Sequence, residues 1–202
     1  MLWAAAAITM GAGRAFAQVA GASASLASDL AAMREEEKLA RDTYRALGAR
    51  WDLPVFANIA EAEQRHFDHV GALLSARGLR DPARAAEGDF TDPRFAALYT
   101  ELVAQGSRSE LDALRAGAHI EELDIADLDT LLARTTEPDV VRVYELLRCG
   151  SRNHLRAFDA LLRERGGTYE PVHLTPERYA EIAAGEHERC GRGGGGRGRR
   201  GR

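Results

Sequence analysis

The 202-residue chain is 45% hydrophobic and 29% charged, enough apolar material for one domain with a buried core. Its net charge of −4 is uneven: the stretch from Glu186 onward carries about +4, leaving about −8 on the remainder, which argues against a nucleic-acid-binding body. Aromatic residues make up only 6% and β-branched runs are scarce, so helices are favoured over sheet.

Residues 1–19 read as a leader for export. The apolar run Leu2 to Met10 is too short to span a bilayer, and Ala15-Phe16-Ala17 is a small-x-small triplet suited to cleavage before Gln18, although no basic residues open the chain. The expected location is periplasmic or extracellular, with the cytoplasm as the alternative, and no transmembrane segment is expected. Ala20 to Ala27 reads as a short flexible lead into a folded domain over residues 20–185.

The first bundle helix is expected from Ser28, as N-cap, to Leu47, closed by Gly48. Leu30, Met33, Glu37, Ala40, Tyr44 and Leu47 make one stripe, broken at Glu37; Glu35 and Glu36 fall off it and read as solvated. After the turn Trp51-Asp-Leu-Pro54, the second helix runs to about Arg77 and stops at Gly78. Its stripe is Phe56, Ile59, Glu63, His66, Val70 and Leu73, broken at Glu63 and His66. Residues 78–107 form a long crossover with one short helix near Pro93 to Gln105.

The third bundle helix opens on a capping box, Ser107-x-x-Glu110, and runs to about Ala133, with Glu121 at the centre of its stripe and Asp124 one turn on. The fourth starts at Thr136 and ends at Gly166-Gly167; Ser151 and His154 interrupt its stripe. A short last helix follows Thr175-Pro176, and residues 186–202 read as a disordered Gly/Arg tail. Cys149 and Cys190 match no metal-binding spacing and no disulfide framework. They read as a core thiol and a tail thiol, with a pairing left open if the protein is exported.

The fold class implied is all-α: an antiparallel four-helix bundle with a long crossover between its second and third helices. All four stripes break at mid-height, and an acidic side chain buried there without a partner costs several kcal/mol. Glu37, Glu63, Glu121 and Asp124, with His66 and His154, are therefore candidate ligands for one or two divalent ions. Against a full dinuclear pattern, Ser151 stands where a carboxylate would be expected. The alternative is a buried ion-pair network, with Arg41 or Arg152 turned inward. His69, His119, His173 and His187 fall away from the constellation, and Tyr44 and Tyr144 read first as core.

Glu37-Lys-Leu-Ala-Arg-Asp-Thr-Tyr44 resembles the first-helix Glu-x-x-Ala-Arg-x-x-Tyr motif of rubrerythrins. Arg34-Glu-Glu-Glu-Lys-Leu-Ala-Arg41, Glu63-Gln-Arg-His66, Gly117 to Ile125 and Gly150-Ser-Arg-Asn-His-Leu-Arg-Ala-Phe158 together resemble the ferritin-like family known as domain of unknown function 2202, over roughly residues 28–183. The resemblance implies a ferritin-like fold and no settled activity. Two functional readings stand beside it. One is an iron or manganese protein of ferroxidase or peroxidase type, with O₂ or peroxide as partner. The other is a non-catalytic structural or partner-binding bundle of the cell envelope with a degenerate metal site. No specific nucleic acid is expected; homo-oligomers are compatible with both.

Overall fold

A computed structural model of the protein describes residues 10–191, and among these the regular structure is entirely helical. The helices are α1 (Met10–Trp51), α2 (Pro54–Ala76), α3 (Pro93–Gly106), α4 (Glu110–Arg134), α5 (Pro138–Glu164) and α6 (Pro176–Ala184). α1 packs along α2, α4 packs along α5, and the two hairpins meet through α1–α4 and α2–α5, with α3 inside the long crossover. This is the all-α architecture expected from the periodicity. No helix among the described residues is long and apolar enough to cross a membrane.

The boundaries differ in three places, each for a local reason. α1 passes through the expected lead Ala20–Ala27, an Ala- and Ser-rich stretch without proline that helix propensity does not oppose. It also passes Gly48, which serves close packing instead of termination: a Cβ there would stand 3.1 Å from Phe56 Cβ. The turn is made by Asp52, with φ +47°, and Pro54 then starts α2. The N-cap of α4 is Ser109, not Ser107; the Ser109 hydroxyl accepts the Asp112 amide at 3.0 Å, while Ser107 closes α3.

The core divides into two apolar clusters. One holds Leu39, Tyr44, Leu47, Phe56, Leu114, Phe158 and Leu162; the other holds Leu30, Met33, Val70, Leu74, Leu128, Val140 and Leu147. In α1, α2 and α5 the polar residues of the broken stripes lie in sequence between the residues given to the two clusters; in α4, Glu121 and Asp124 lie between Ile120 and Ile125, both of the first cluster, and Leu128 of the second follows. A polar layer is thus held between two dry ones.

Every residue of α1 from Met33 to Tyr44 is buried, so Glu35 and Glu36 are not solvated as their position off the stripe suggests. The crossover wraps the outer face of α1 and meets its charges one by one. Arg34 pairs with Asp81, and Lys38 pairs with Asp42 and donates to the Ala86 carbonyl. Asp42 accepts the Gly88 amide, and Glu35 accepts the amides of Thr91 and Asp92 at 2.6 and 2.7 Å. Glu122 does the same for the chain after α5, accepting the amides of Val172, His173 and Leu174 and the Tyr169 hydroxyl.

The tail also differs from expectation. Cys149 and Cys190 form a disulfide, so the two-thiol reading does not hold. Glu188 takes Arg152 and Arg156, and the Glu188 amide donates to Asn153, so residues 186–191 lie against α5. A partner 41 residues away is set by the tertiary fold and leaves no local spacing signal. Residues 192–202 of the expected tail and 1–9 of the expected leader lie outside the described residues.

Two charge-assisted amide bonds to one buried carboxylate make Glu35→Ala costly. Its expected destabilisation is about 2–4 kcal/mol in urea unfolding, with faster hydrogen exchange at Thr91 and Asp92, whereas exposed Glu61→Ala should stay within about 0.5 kcal/mol.

Candidate metal centre

Each bundle helix contributes to the polar layer: α1 gives Glu37, α2 gives Glu63 and His66, α4 gives Glu121 and Asp124, and α5 gives Ser151 and His154. The i, i+3 spacing within α2, α4 and α5 places each pair on one face, one turn apart. His66 Nδ1 lies 2.8 Å from Glu63 Oε2 and 3.4 Å from Glu37 Oε2. His154 Nδ1 lies 2.7 Å from Glu63 Oε1 and 3.4 Å from Glu121 Oε2. The result is two triads, Glu37–Glu63–His66 and Glu63–Glu121–His154, in each of which one ligand atom per residue falls within 4.8 Å of the others. Glu63 belongs to both, one oxygen facing each imidazole.

Packing fixes these side chains. The imidazole rings lie 5.8 Å apart and 30° from parallel. His66 occupies space that only a glycine opposite can leave: a Cβ on Gly150 would stand 2.5 Å from its Cε1. The Tyr44 hydroxyl donates to Glu121 Oε1 at 2.6 Å, and its ring packs on Phe56 and Phe158. A Cβ on Gly117 would stand 2.5 Å from the Phe158 ring, so that glycine admits the aromatic floor of the layer. Tyr44 is therefore both core and hydrogen-bond donor to the centre.

Asp124 stands outside both triads. The Ser151 hydroxyl donates to its Oδ2, while its Oδ1 is buried without a partner. Ser151 thus orients a carboxylate in place of supplying one. Neither arginine proposed to neutralise the layer does so: Arg41 is held by Asp42 and Gln64, and Arg152 by Glu188. Among the described residues no Lys or Arg pairs with Glu37, Glu63, Glu121 or Asp124. His69 is exposed, and His119 packs on His173, away from the layer.

Sequence reasoning missed Glu36. It is 4% exposed, Oε1 has no partner, and it lines one small internal cavity with Glu37, Ala40, Glu63, Ile120, Glu121 and Asp124. The available signal was the unbroken charged run Arg34 to Lys38 within a helix that the crossover must cover.

Burial, reinforced by Asp124 and Glu63, holds the Glu37 carboxyl well above the usual carboxylate range. Burial does the same to Glu36 and to Asp124, the latter against the Ser151 bond, and raises Glu121. Burial pushes Glu63 up too, but the His66 and His154 charges overcome it and hold Glu63 well below that range. Burial opposes charge on His154, yet Glu121 and Glu63 raise it well above the usual imidazole value. Two carboxylates about 5 Å apart at an effective dielectric near 20 repel by roughly 3 kcal/mol, and several such pairs meet here. The donor set, carboxylate oxygens with one imidazole per triad and several orphaned oxygens, fits a divalent metal ion.

A pH dependence follows for the metal-free protein. Carboxyls raised in the folded state contribute stability that is complete below the ordinary value of 4.5 and is lost as pH rises through their folded values. His154, also raised, loses its contribution in the same direction above 6.5; lowered Glu63 acts oppositely, but only below 4.5. The melting temperature of the metal-free chain should therefore fall between about pH 5 and pH 8 in scanning calorimetry, and a saturating divalent ion should flatten that slope.

Residues 27–186 match the uncharacterized protein domain DUF2202. An uncharacterized protein of Methanocaldococcus jannaschii, MJ0754, is 48% identical over 158 residues, spanning 78% of this chain and 85% of its own length. The crystal structure of hypothetical protein MJ0754 from Methanococcus jannaschii superposes with a TM-score of 0.79 at 47% identity, covering 80% of this chain and 93% of that one. The chain belongs to the DUF2202 family of uncharacterized protein domains.

Proposed function

We propose that this is a ferritin-like metalloprotein that holds two divalent ions, iron or manganese, one at each triad, and uses them on O₂ or peroxide. The observation that carries the reading is the pair of carboxylate–imidazole triads sharing Glu63, within a buried acidic layer that no Lys or Arg among the described residues neutralises. Glu37 and His66 would hold one ion, Glu121 and His154 the other, and Glu63 would bridge them. When bound, such a pair of redox ions would supply one electron each toward two-electron reduction of an O–O bond.

The chain's own contribution is positioning and exclusion. Tyr44 holds Glu121 by its hydroxyl, Gly150 seats His66, and the two apolar clusters keep bulk water from the layer. The Ser151–Asp124 bond leaves Asp124 Oδ1 available as a further oxygen donor. The Cys149–Cys190 disulfide supports placing the protein in an oxidising compartment, as the leader reading expects.

The test is metal per chain by plasma mass spectrometry on protein purified without a His-tag. About two ions are expected for the native chain, about one for His66→Ala and for His154→Ala, and close to none for Glu63→Ala, because one carboxylate serves both positions. A native chain that takes up neither metal after anaerobic loading would overturn the proposal.

A further inference from the structure

The polar layer contains more carboxylates than the two triads use, and the surplus lies on one side. Glu36 is one residue from Glu37 yet belongs to neither triad. It lines the small internal cavity shared with Glu37, Glu63, Glu121 and Asp124, and its buried Oε1 has no hydrogen-bond partner; the same holds for Asp124 Oδ1. Asp127 follows Asp124 by one turn of α4, is exposed, and its carboxylate lies against that of Glu36. A file of carboxylates thus leads from solvent at Asp127, past Glu36, to Asp124 and Glu37 in the interior.

The nearby cations are committed elsewhere. Arg94 pairs with Asp92, Arg134 with Asp29, Arg34 with Asp81 and Lys38 with Asp42. A structural carboxylate in this position would be expected to accept backbone amides or pair with arginine, as Glu35 and Glu188 do on either side of the bundle. Glu36 does neither. Its donors are oxygen only, without an imidazole, which suits a hard divalent ion that keeps part of its water shell and is released readily.

We propose that Glu36, Asp124 and Asp127 form an accessory divalent-cation site between the surface and the Glu63-bridged centre, through which metal ions reach that centre. The inference rests on the metal-centre reading above. Negative potential focused at the mouth of such a file raises the local cation concentration, and inward transfer then needs only exchange of Glu36 for Glu37 along the same cavity wall.

The experiment follows cobalt(II) uptake by the metal-free full-length chain, by stopped-flow visible absorbance for rate and by calorimetry for the number of binding events. Glu36→Gln should load the centre about tenfold more slowly, and Asp127→Asn several-fold more slowly, while both still reach the native end point of about two tightly held ions. Calorimetry of the native chain should show a third, weaker event that Glu36→Gln abolishes. Asp127 is exposed, so Asp127→Asn keeps the test valid if Glu36→Gln disturbs folding. Uptake within about twofold of the native rate in both variants, with no third event, would overturn the accessory site and leave the centre standing. A native chain that binds no cobalt would overturn both.

Discussion

The constraint on which the structure depends is an excess of buried negative charge at one level of the bundle. Glu36, Glu37, Glu63, Glu121 and Asp124 face only two imidazoles, and the arginines within reach in sequence are tied down elsewhere. Little water reaches these carboxylates, none of which is more than 6% exposed, because apolar clusters lie above and below the layer. Desolvation therefore acts on every carboxylate, and it appears as a raised carboxyl in all but Glu63, which both histidines attend. An arrangement that opposes its own folding in this way is expected where a ligand of opposite charge completes it.

The remainder of the chain holds that layer in register. The crossover is not a passive connection: it supplies Asp81, the Ala86 carbonyl and the amides of Gly88, Thr91 and Asp92 to the charged outer face of α1. With that face satisfied, α1 can be surrounded on all sides, and the short hydrogen bonds along it fix where Glu36 and Glu37 stand. On the opposite side, Glu122 gathers the chain after α5, and the disulfide with the Glu188 ion pairs lays residues 186–191 over the helix that carries His154. Glycines are used where side chains must pass closely, at Gly117 under Phe158 and at Gly150 beside His66.

Much of this was legible in the sequence because it is periodic. Stripes at helical spacing marked four bundle helices, and polar residues at stripe positions marked the layer through Glu37, Glu63, His66, Glu121, Ser151 and His154, with Asp124 one turn beyond Glu121. What escaped was whatever depends on non-local partners. Glu35 and Glu36 read as solvated because a stripe argument assumes that a helix has one buried face, whereas the crossover covers Glu35 and α4 lies against Glu36. The Cys149–Cys190 bond joins positions 41 residues apart, and no spacing rule anticipates it. The cap of α4 is Ser109 and not Ser107 because Ser107 closes α3, its amide donating to the Val103 carbonyl, and the next serine is left to take the Asp112 amide.

The most direct test of the central claim is a crystal structure of the protein loaded anaerobically with iron or manganese, with anomalous difference maps recorded at the metal's absorption edge. The account expects two peaks inside the bundle, one beside Nδ1 of His66 and one beside Nδ1 of His154, with Glu63 between them. A layer filled by ordered water, with no anomalous peak and the carboxylates hydrogen-bonded to one another, would contradict it.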